Sequence, residues 1–266
     1  MRKYADKITL AKNDRGVWGL DPFKGCSGGL MAKYHAYDCG LNLMFKNYNF
    51  GLYNIKGCYG ICYAAKIAKF RGYDFSKVVK RDFIDDKHLQ YIGEKLKSIP
   101  FVRLGVSCDP SSEWEHTLSI VGKIKPYIKN IVLITKHWNE LTKDELLKLK
   151  GLCVNTSISA LDNEDDMNKR LFWYHKLKDY CKSVLRVNTA DFNDLKLKEI
   201  QDRLLSNEKV IDNVLRFSRG HELVANGIIN VKKYKFLDSS VMASRHSGNA
   251  YFGYCDNCPD QCGILL

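Results

Sequence analysis

The sequence predicts an α/β protein built from (β/α) repeats, a complete or partial barrel, and three observations carry that expectation. Short apolar runs rich in β-branched residues recur from about residue 80 onward. Amphipathic stretches of helical spacing alternate with them. The length of 266 residues suits one domain of barrel size.

The runs are Phe101–Ser107 (FVRLGVS), Asn130–Thr135 (NIVLIT), Leu152–Ile158 (LCVNTSI), Ser183–Asn188 (SVLRVN) and Asn213–Ser218 (NVLRFS). Each is short enough and branched enough to read as a strand. Helix-like segments fall near 85–98, 114–125, 142–149, 165–181 and 195–208. Strand–helix–strand units of this length give a parallel sheet with helical crossovers. One or two further strands are expected in the N-terminal third. A doubly wound open sheet is the alternative, although no Gly-rich dinucleotide fingerprint follows a strand.

One domain spanning 1–266 is the simplest organisation. Residues 1–80 are richer in Gly, Tyr and Cys and weaker in periodicity, so they read as an irregular cap or insertion over the barrel mouth. Residues 244–266 read as a second irregular segment, a cysteine-rich metal knuckle.

Composition narrows the function classes. Hydrophobic residues at 45% and charged residues at 27% exclude a disordered chain. No apolar stretch reaches the roughly 18 residues that span a bilayer, so no membrane partner is expected. The N-terminal sequence has no apolar core of a secretory signal, and a cytoplasmic location is the expectation. The formal charge of +12 attracts polyanions, of which nucleic acid is the commonest, with DNA favoured over RNA.

In parallel α/β folds the site lies at the C-terminal ends of the strands. The residues after each run are therefore the candidates: Asp109; Lys136, His137 and Trp138; Asp162; Asp191; Arg219 and His221. Asp109 and Asp191 are the candidate catalytic carboxylates, able to serve as nucleophile and general acid/base. Asp109 can equally cap the helix that Pro110 and the following serines announce. The other residues are candidates for binding substrate or phosphate, and Trp138 and Trp114 for stacking on an extruded base.

Ten cysteines in such a chain argue for metal rather than a disulfide framework. Cys255, Cys258 and Cys262 form a C-x2-C-x3-C knuckle in a Gly- and Pro-containing turn, and His246 upstream would complete a Cys3His zinc site. Cys58 and Cys62 form a C-x3-C pair that, with Cys26, makes an alternative or second set. Zn2+ is the expected metal, and a 4Fe-4S cluster the alternative.

The stretches GCYGICYAAKIAKFRG, FVRLGVSCDPSSEW and NIVLITKHW, followed by the C-terminal knuckle, resemble phage-encoded proteins built on a radical-SAM-like barrel over residues 20–265. Cys58 and Cys62 match the first two positions of the C-x3-C-x2-C motif of that family; the third position is Ala65. That resemblance implies a cluster that works with SAM. The chain also resembles phage DNA-guanine transglycosylases, relatives of the tRNA-guanine transglycosylases. This second resemblance implies a barrel, a structural zinc held by Cys255, Cys258, Cys262 and His246, and an aspartate nucleophile, Asp109 or Asp191.

The leading expectation is exchange of guanine in DNA for a 7-deazaguanine base of the preQ0 type through an aspartyl-linked glycosyl intermediate. The alternatives are an iron–sulfur, radical-SAM-like enzyme that modifies or repairs nucleic acid, and a non-catalytic zinc-knuckle protein that binds it.

Overall fold

The structure is a computed structural model that describes residues 7–13, 15–28, 62–216, 222–236, 239–243, 250–251 and 253–266. At its centre is a seven-stranded sheet. Its strands are β1 (Leu10–Lys12), β2 (Trp18–Leu20), β5 (Val102–Leu104), β6 (Ile131–Thr135), β7 (Cys153–Ile158), β8 (Lys182–Thr189) and β10 (Val210–Val214), in that spatial order. β1 pairs antiparallel with β2, and every later neighbour is parallel. The short strands β3 (Phe23–Lys24) and β4 (Val79–Lys80) pair with each other, as do β9 (Asp191–Phe192) and β11 (Ile229–Asn230), and β12 (Lys232–Phe236) and β13 (Ser239–Ala243).

Helices α2 (Asp86–Lys97), α3 (Trp114–Ile124), α4 (Lys143–Lys148), α5 (Glu164–Leu177) and α6 (Leu195–Leu205) fall on the segments that periodicity selects. Their starts are chemically marked. Asp85, Asn163 and Asp194 each accept a backbone N–H of the first turn, and Thr142 forms a reciprocal capping box with Glu145. A further helix, α1 (Tyr63–Phe70), precedes them.

The sheet is wound in one direction. From β2 the spatial order follows chain order with no reversal, unlike a doubly wound sheet. Among the described residues, α2 to α6 cover one face. Val102, Leu104, Ile131, Leu133 and Val154 pack with Ile92, Leu96, Leu118, Val121, Leu146 and Trp173 of α2 to α5. Leu185 and Val187 pack with Met167, Tyr174 and Leu204 of α5 and α6. The alternate residues point the other way, as strand geometry requires. There Phe101, Val132, Cys153, Val184 and Ile211 meet Cys262 of the C-terminal segment. Among the described residues no ladder joins β10 to β1, so the described strands form an open sheet with those two at its edges.

Two expectations change. The strands expected in the N-terminal third are β1 and β2 of the central sheet, so the irregular N-terminal region does not span all of 1–80. The last parallel strand is Val210–Val214 rather than Asn213–Ser218. The turn after α6 is short, with Lys209 at φ +47°, and its pairing begins at once, Val210 opposite Leu185. Among the described residues no helix is long and apolar enough to cross a membrane.

Gly105 closes β5 at φ +89°, where a Cβ would stand 2.4 Å from the Ile134 carbonyl oxygen. Gly122 lies within α3 with nothing within 4 Å of its would-be Cβ. Gly105→Ala is expected to lower unfolding free energy by roughly 2 kcal/mol or more, through strain and a backbone clash. Gly122→Ala is expected to raise it by up to about 1 kcal/mol through helix propensity. Denaturant midpoints of the two variants check this, and equal midpoints would contradict the assigned geometry.

Candidate functional site

The C-terminal ends of the parallel strands carry most of the residues that the sequence singles out, and the structure gives several of them a supporting role. Asp109 is 6% exposed. Its Oδ1 accepts from the Ser111 amide at 2.9 Å, the Ser111 hydroxyl at 2.7 Å and the Thr135 hydroxyl at 2.7 Å. Its Oδ2 accepts from the Lys136 amide at 2.8 Å. The carboxylate thus caps the 3-10 turn Pro110–Ser112 and ties it to the end of β6. Of the two roles open to Asp109, the geometry fills the capping one.

Lys136, His137 and Trp138 are turned inward. His137 is 1% exposed and sits at φ +53°, which directs its ring to the helix side of the sheet. The ring stacks on Trp173 with centroids 5.8 Å apart, and Nε2 lies 3.0 Å from the Thr156 hydroxyl. Burial, then the Arg170 charge, push its pKa down to about 3, so the imidazole is neutral at pH 7 and attracts no phosphate. Trp138 and Trp114 are buried, Trp138 with the Arg170 guanidinium 5.2 Å from its ring centroid, and neither offers a free face to a base.

Asp162 anchors a buried charge network. It pairs with Arg170 and, at 3.2 Å, with Lys136, and accepts from the Ser159 amide at 2.8 Å. Burial raises the Asp162 pKa, but Arg170 and Lys136 outweigh it and hold the carboxyl below its usual range. Arg170 also reaches Asp166 at 3.4 Å and donates from Nε to the Lys136 carbonyl at 3.2 Å. The network joins the loops after β6 and β7 to α5.

Asp191 stands directly after β8, partly buried, with Asn230 opposite it in the β9–β11 pair. Arg219, His221, His246 and Cys58 lie outside the described residues. The strand ends at Val214, so Leu215 and Arg216 occupy the place expected of Arg219 and His221.

The cysteines divide between opposite ends of the sheet. Cys26 and Cys62 are partly buried, and both pack on the cluster of Ala64, Ala65, Ala68 and Phe75. The Ser27 amide donates to the Ser112 hydroxyl at 3.3 Å, and Gly28 abuts the Trp138 ring, which fixes this segment at the C-terminal strand ends. Asp21, at the end of β2, accepts from the Val106 and Ser107 amides at 2.8 and 3.0 Å and from the Cys108 thiol at 3.5 Å. Burial, with Asp21 alongside, pushes the Cys108 thiol up, so it stays protonated.

Cys255, Cys258 and Cys262 lie at the other end. The Cys262 carbonyl accepts from Asn155 Nδ2 at 2.9 Å, and the Cys255 amide donates to the Arg15 carbonyl at 2.7 Å. Lys182, the first residue of β8, donates to the Ile264 carbonyl. These partners belong to the N-terminal ends of the strands. The knuckle and the Cys26–Cys62 region therefore sit at opposite ends of the sheet. Among the described residues no group of three or more Cys, His, Asp or Glu is arranged to hold a metal ion.

Beside its apolar cluster, the sheet face away from the helices carries a polar band that no strand-end motif marks. Arg186 reaches Asn213 Oδ1, Asn213 donates to Asn188, and Asn188 Nδ2 donates to the Ser157 hydroxyl at 2.8 Å. Arg103 and Asn155 lie on the same face by strand parity. The signal was present in FVRLGVS and SVLRVN, where arginine alternates with apolar residues.

No family model, curated protein or solved structure matches the chain.

Asp109→Asn is expected to cost roughly 2–4 kcal/mol of stability, because an amide nitrogen would face donors at a buried cap. Thermal and denaturant unfolding measure it. Unchanged stability would overturn the capping role.

Proposed function

We propose that this chain is a cytoplasmic enzyme that modifies nucleic acid, DNA before RNA, with its site at the C-terminal ends of the parallel strands. Of the two enzyme classes that the sequence resembles, the iron–sulfur, radical-SAM-like one has the better support. The observation that carries it is the packing of Cys26 and Cys62 on one small cluster beside the ends of β2 and β5. In this reading the single-direction sheet is a partial barrel, and its polar face is the interior.

The donor set fits a cluster in chemical type. Cys26 and Cys62 supply sulfur donors, and Cys58 precedes Cys62 by the four positions of the C-x3-C spacing. When bound, a 4Fe-4S cluster with one open iron supplies the electron that cleaves SAM. The chain's own residues do the rest. Asp21 holds the Val106–Cys108 loop against β2, Asp109 fixes the adjoining turn, and the Asp162–Arg170–Lys136 network keeps the neighbouring loops in place. A formal charge of +12 favours a polyanionic substrate.

The DNA-guanine transglycosylase reading, with a 7-deazaguanine as second substrate and zinc on Cys255, Cys258, Cys262 and His246, is the second proposal. It rests on Asp191, which stands partly buried at the end of β8, since the Asp109 carboxylate is already engaged by four donors.

Purification without oxygen, followed by reconstitution with iron and sulfide, separates the two. A brown protein whose visible absorption is lost in Cys26→Ser and Cys62→Ser but kept in Cys258→Ser is the expected result. A colourless protein that holds one zinc and exchanges labelled guanine in DNA, with exchange lost in Asp191→Ala, would replace the first reading by the second.

A further inference from the structure

Among the described residues the central sheet ends at β1 on one side and at β10 on the other, with five strands between them. Strands in a sheet sit about 4.8 Å apart, so a flat sheet of this width would hold its outer strands roughly 29 Å apart. The two edges of this sheet come much closer. Arg15, in the turn between β1 and β2, lines one small cleft with Asp212, Asn213, Val214 and Arg216 at the far edge, and with Tyr251. The sheet therefore curls until its edges face each other, as in a barrel. Among the described residues no ladder crosses the remaining gap.

The C-terminal segment spans that gap and is tied to both sides. On the first side, Asn13 sets the turn: its Oδ1 accepts from the Arg15 and Val17 amides at 3.0 Å each, and Gly16 takes φ +87°. The turn presents Arg15, whose guanidinium donates to the Tyr251 and Gly253 carbonyls at 3.1 and 3.2 Å. The Arg15 carbonyl accepts from the Cys255 amide at 2.7 Å. Lys12 pairs with Asp256 at 3.6 Å, an exposed contact that adds little. On the other side, Asn155 of β7 donates to the Cys262 carbonyl at 2.9 Å, and Lys182 of β8 donates to the Ile264 carbonyl. The 3-10 turn Gln261–Gly263 lies against both β7 and β10. Cys262 packs there with Ile211 of β10 and Val184 of β8. Gly263, at φ +91°, comes so close to β8 that a Cβ would stand 2.7 Å from Val184 Cγ2.

We propose that residues 253–264 are a clasp that holds the curled sheet shut, joining the β1–β2 turn to β10 in place of a strand ladder. Arg15 fastens one side, and Asn155, Lys182 and the apolar seat of Cys262 fasten the other. Each fastening side chain reaches a main-chain carbonyl of the segment, and those carbonyls are in place only while the segment is seated. Both sets of ties sit on one short stretch, so release at Arg15 loosens the hold on β10, and release at β8 loosens the hold on the turn. The clasp also covers the N-terminal strand ends of the inner face, which leaves the C-terminal strand ends as its entrance. The inference rests on the partial-barrel reading of the sheet and not on the reaction. Its failure would leave the choice between iron–sulfur and transglycosylase chemistry where it stands.

Amide hydrogen exchange of the full chain, read by mass spectrometry, tests the coupling. The Arg15 bonds to the segment fall at 251–255, whereas its seat on β7, β8 and β10 lies at 261–264. In Arg15→Ala, exchange is expected to rise by roughly tenfold or more at 261–264 and at 210–214, with α2 unchanged. In Lys182→Met the reciprocal rise is expected at 13–17 and at the Cys255 amide. Lys12→Ala, which removes only the exposed pair, should exchange like the wild type. A rise in Arg15→Ala confined to 251–255, with 261–264 and 210–214 as protected as in the wild type, would show two independent contacts and overturn the clasp. So would a Lys182→Met variant whose 13–17 turn keeps its protection. Should Arg15→Ala lose protection in α2 as well, and so fail to fold, Arg15→Lys and Lys182→Met decide by the same readouts.

Discussion

A parallel sheet must cover both faces, and this one is free to use apolar helices on only one of them. The other carries Arg103, Asn155, Arg186, Asn188 and Asn213 beside a small apolar cluster that Cys262 and Ile264 cover. Guanidinium and amide groups cannot be sealed beneath leucine side chains without losing their hydrogen bonds. That constraint explains why α2 to α6 gather on one side and why the sheet is wound in a single direction. It also explains why the C-terminal segment meets the polar face through main-chain carbonyls, which accept from Asn155 and Lys182.

The strand-end loops show how much polar chemistry a scaffold itself consumes. Asp109 spends its lone pairs on Ser111, Thr135 and the Lys136 amide. Asp162 and Asp166 balance the charges of Arg170 and Lys136 in one largely buried network. His137 is held neutral between Trp114 and Trp173. These bonds tie the strand-end loops to one another and to α5. Asp21 belongs to the same class: its carboxylate organises the loop that carries Cys108.

The elements from Asp86 to Leu205 were legible in the sequence because period and capping agreed there. The runs at 101–107, 130–135, 152–158 and 183–188 are strands, and Thr142 and Asn163 start helices as their chemistry dictates. The fifth run was read three residues late: NVLRFS shares the VLR of the strand SVLRVN, while the strand itself begins at Val210 and carries Asp212 in its middle. Side-chain direction at the rim was not legible. A residue that follows a strand can face the pocket or the helices, and the positive φ of His137, which sends its ring to the helix side, leaves no mark in composition. Nor does sequence spacing tell at which end of a sheet two cysteine groups come to rest. The inner-face arginines were legible by strand alternation, which a search confined to loop residues passes over.

The proposed function requires nucleic acid to reach the sheet from its C-terminal strand ends. Photocrosslinking to single-stranded DNA that carries a photoreactive base, with the attached peptides identified by mass spectrometry, addresses this directly. Adducts are expected in the segments 21–28, 106–109, 188–191 and 214–216. Adducts confined to the outer surfaces of α2, α4 and α5, with none at the strand ends, would contradict it.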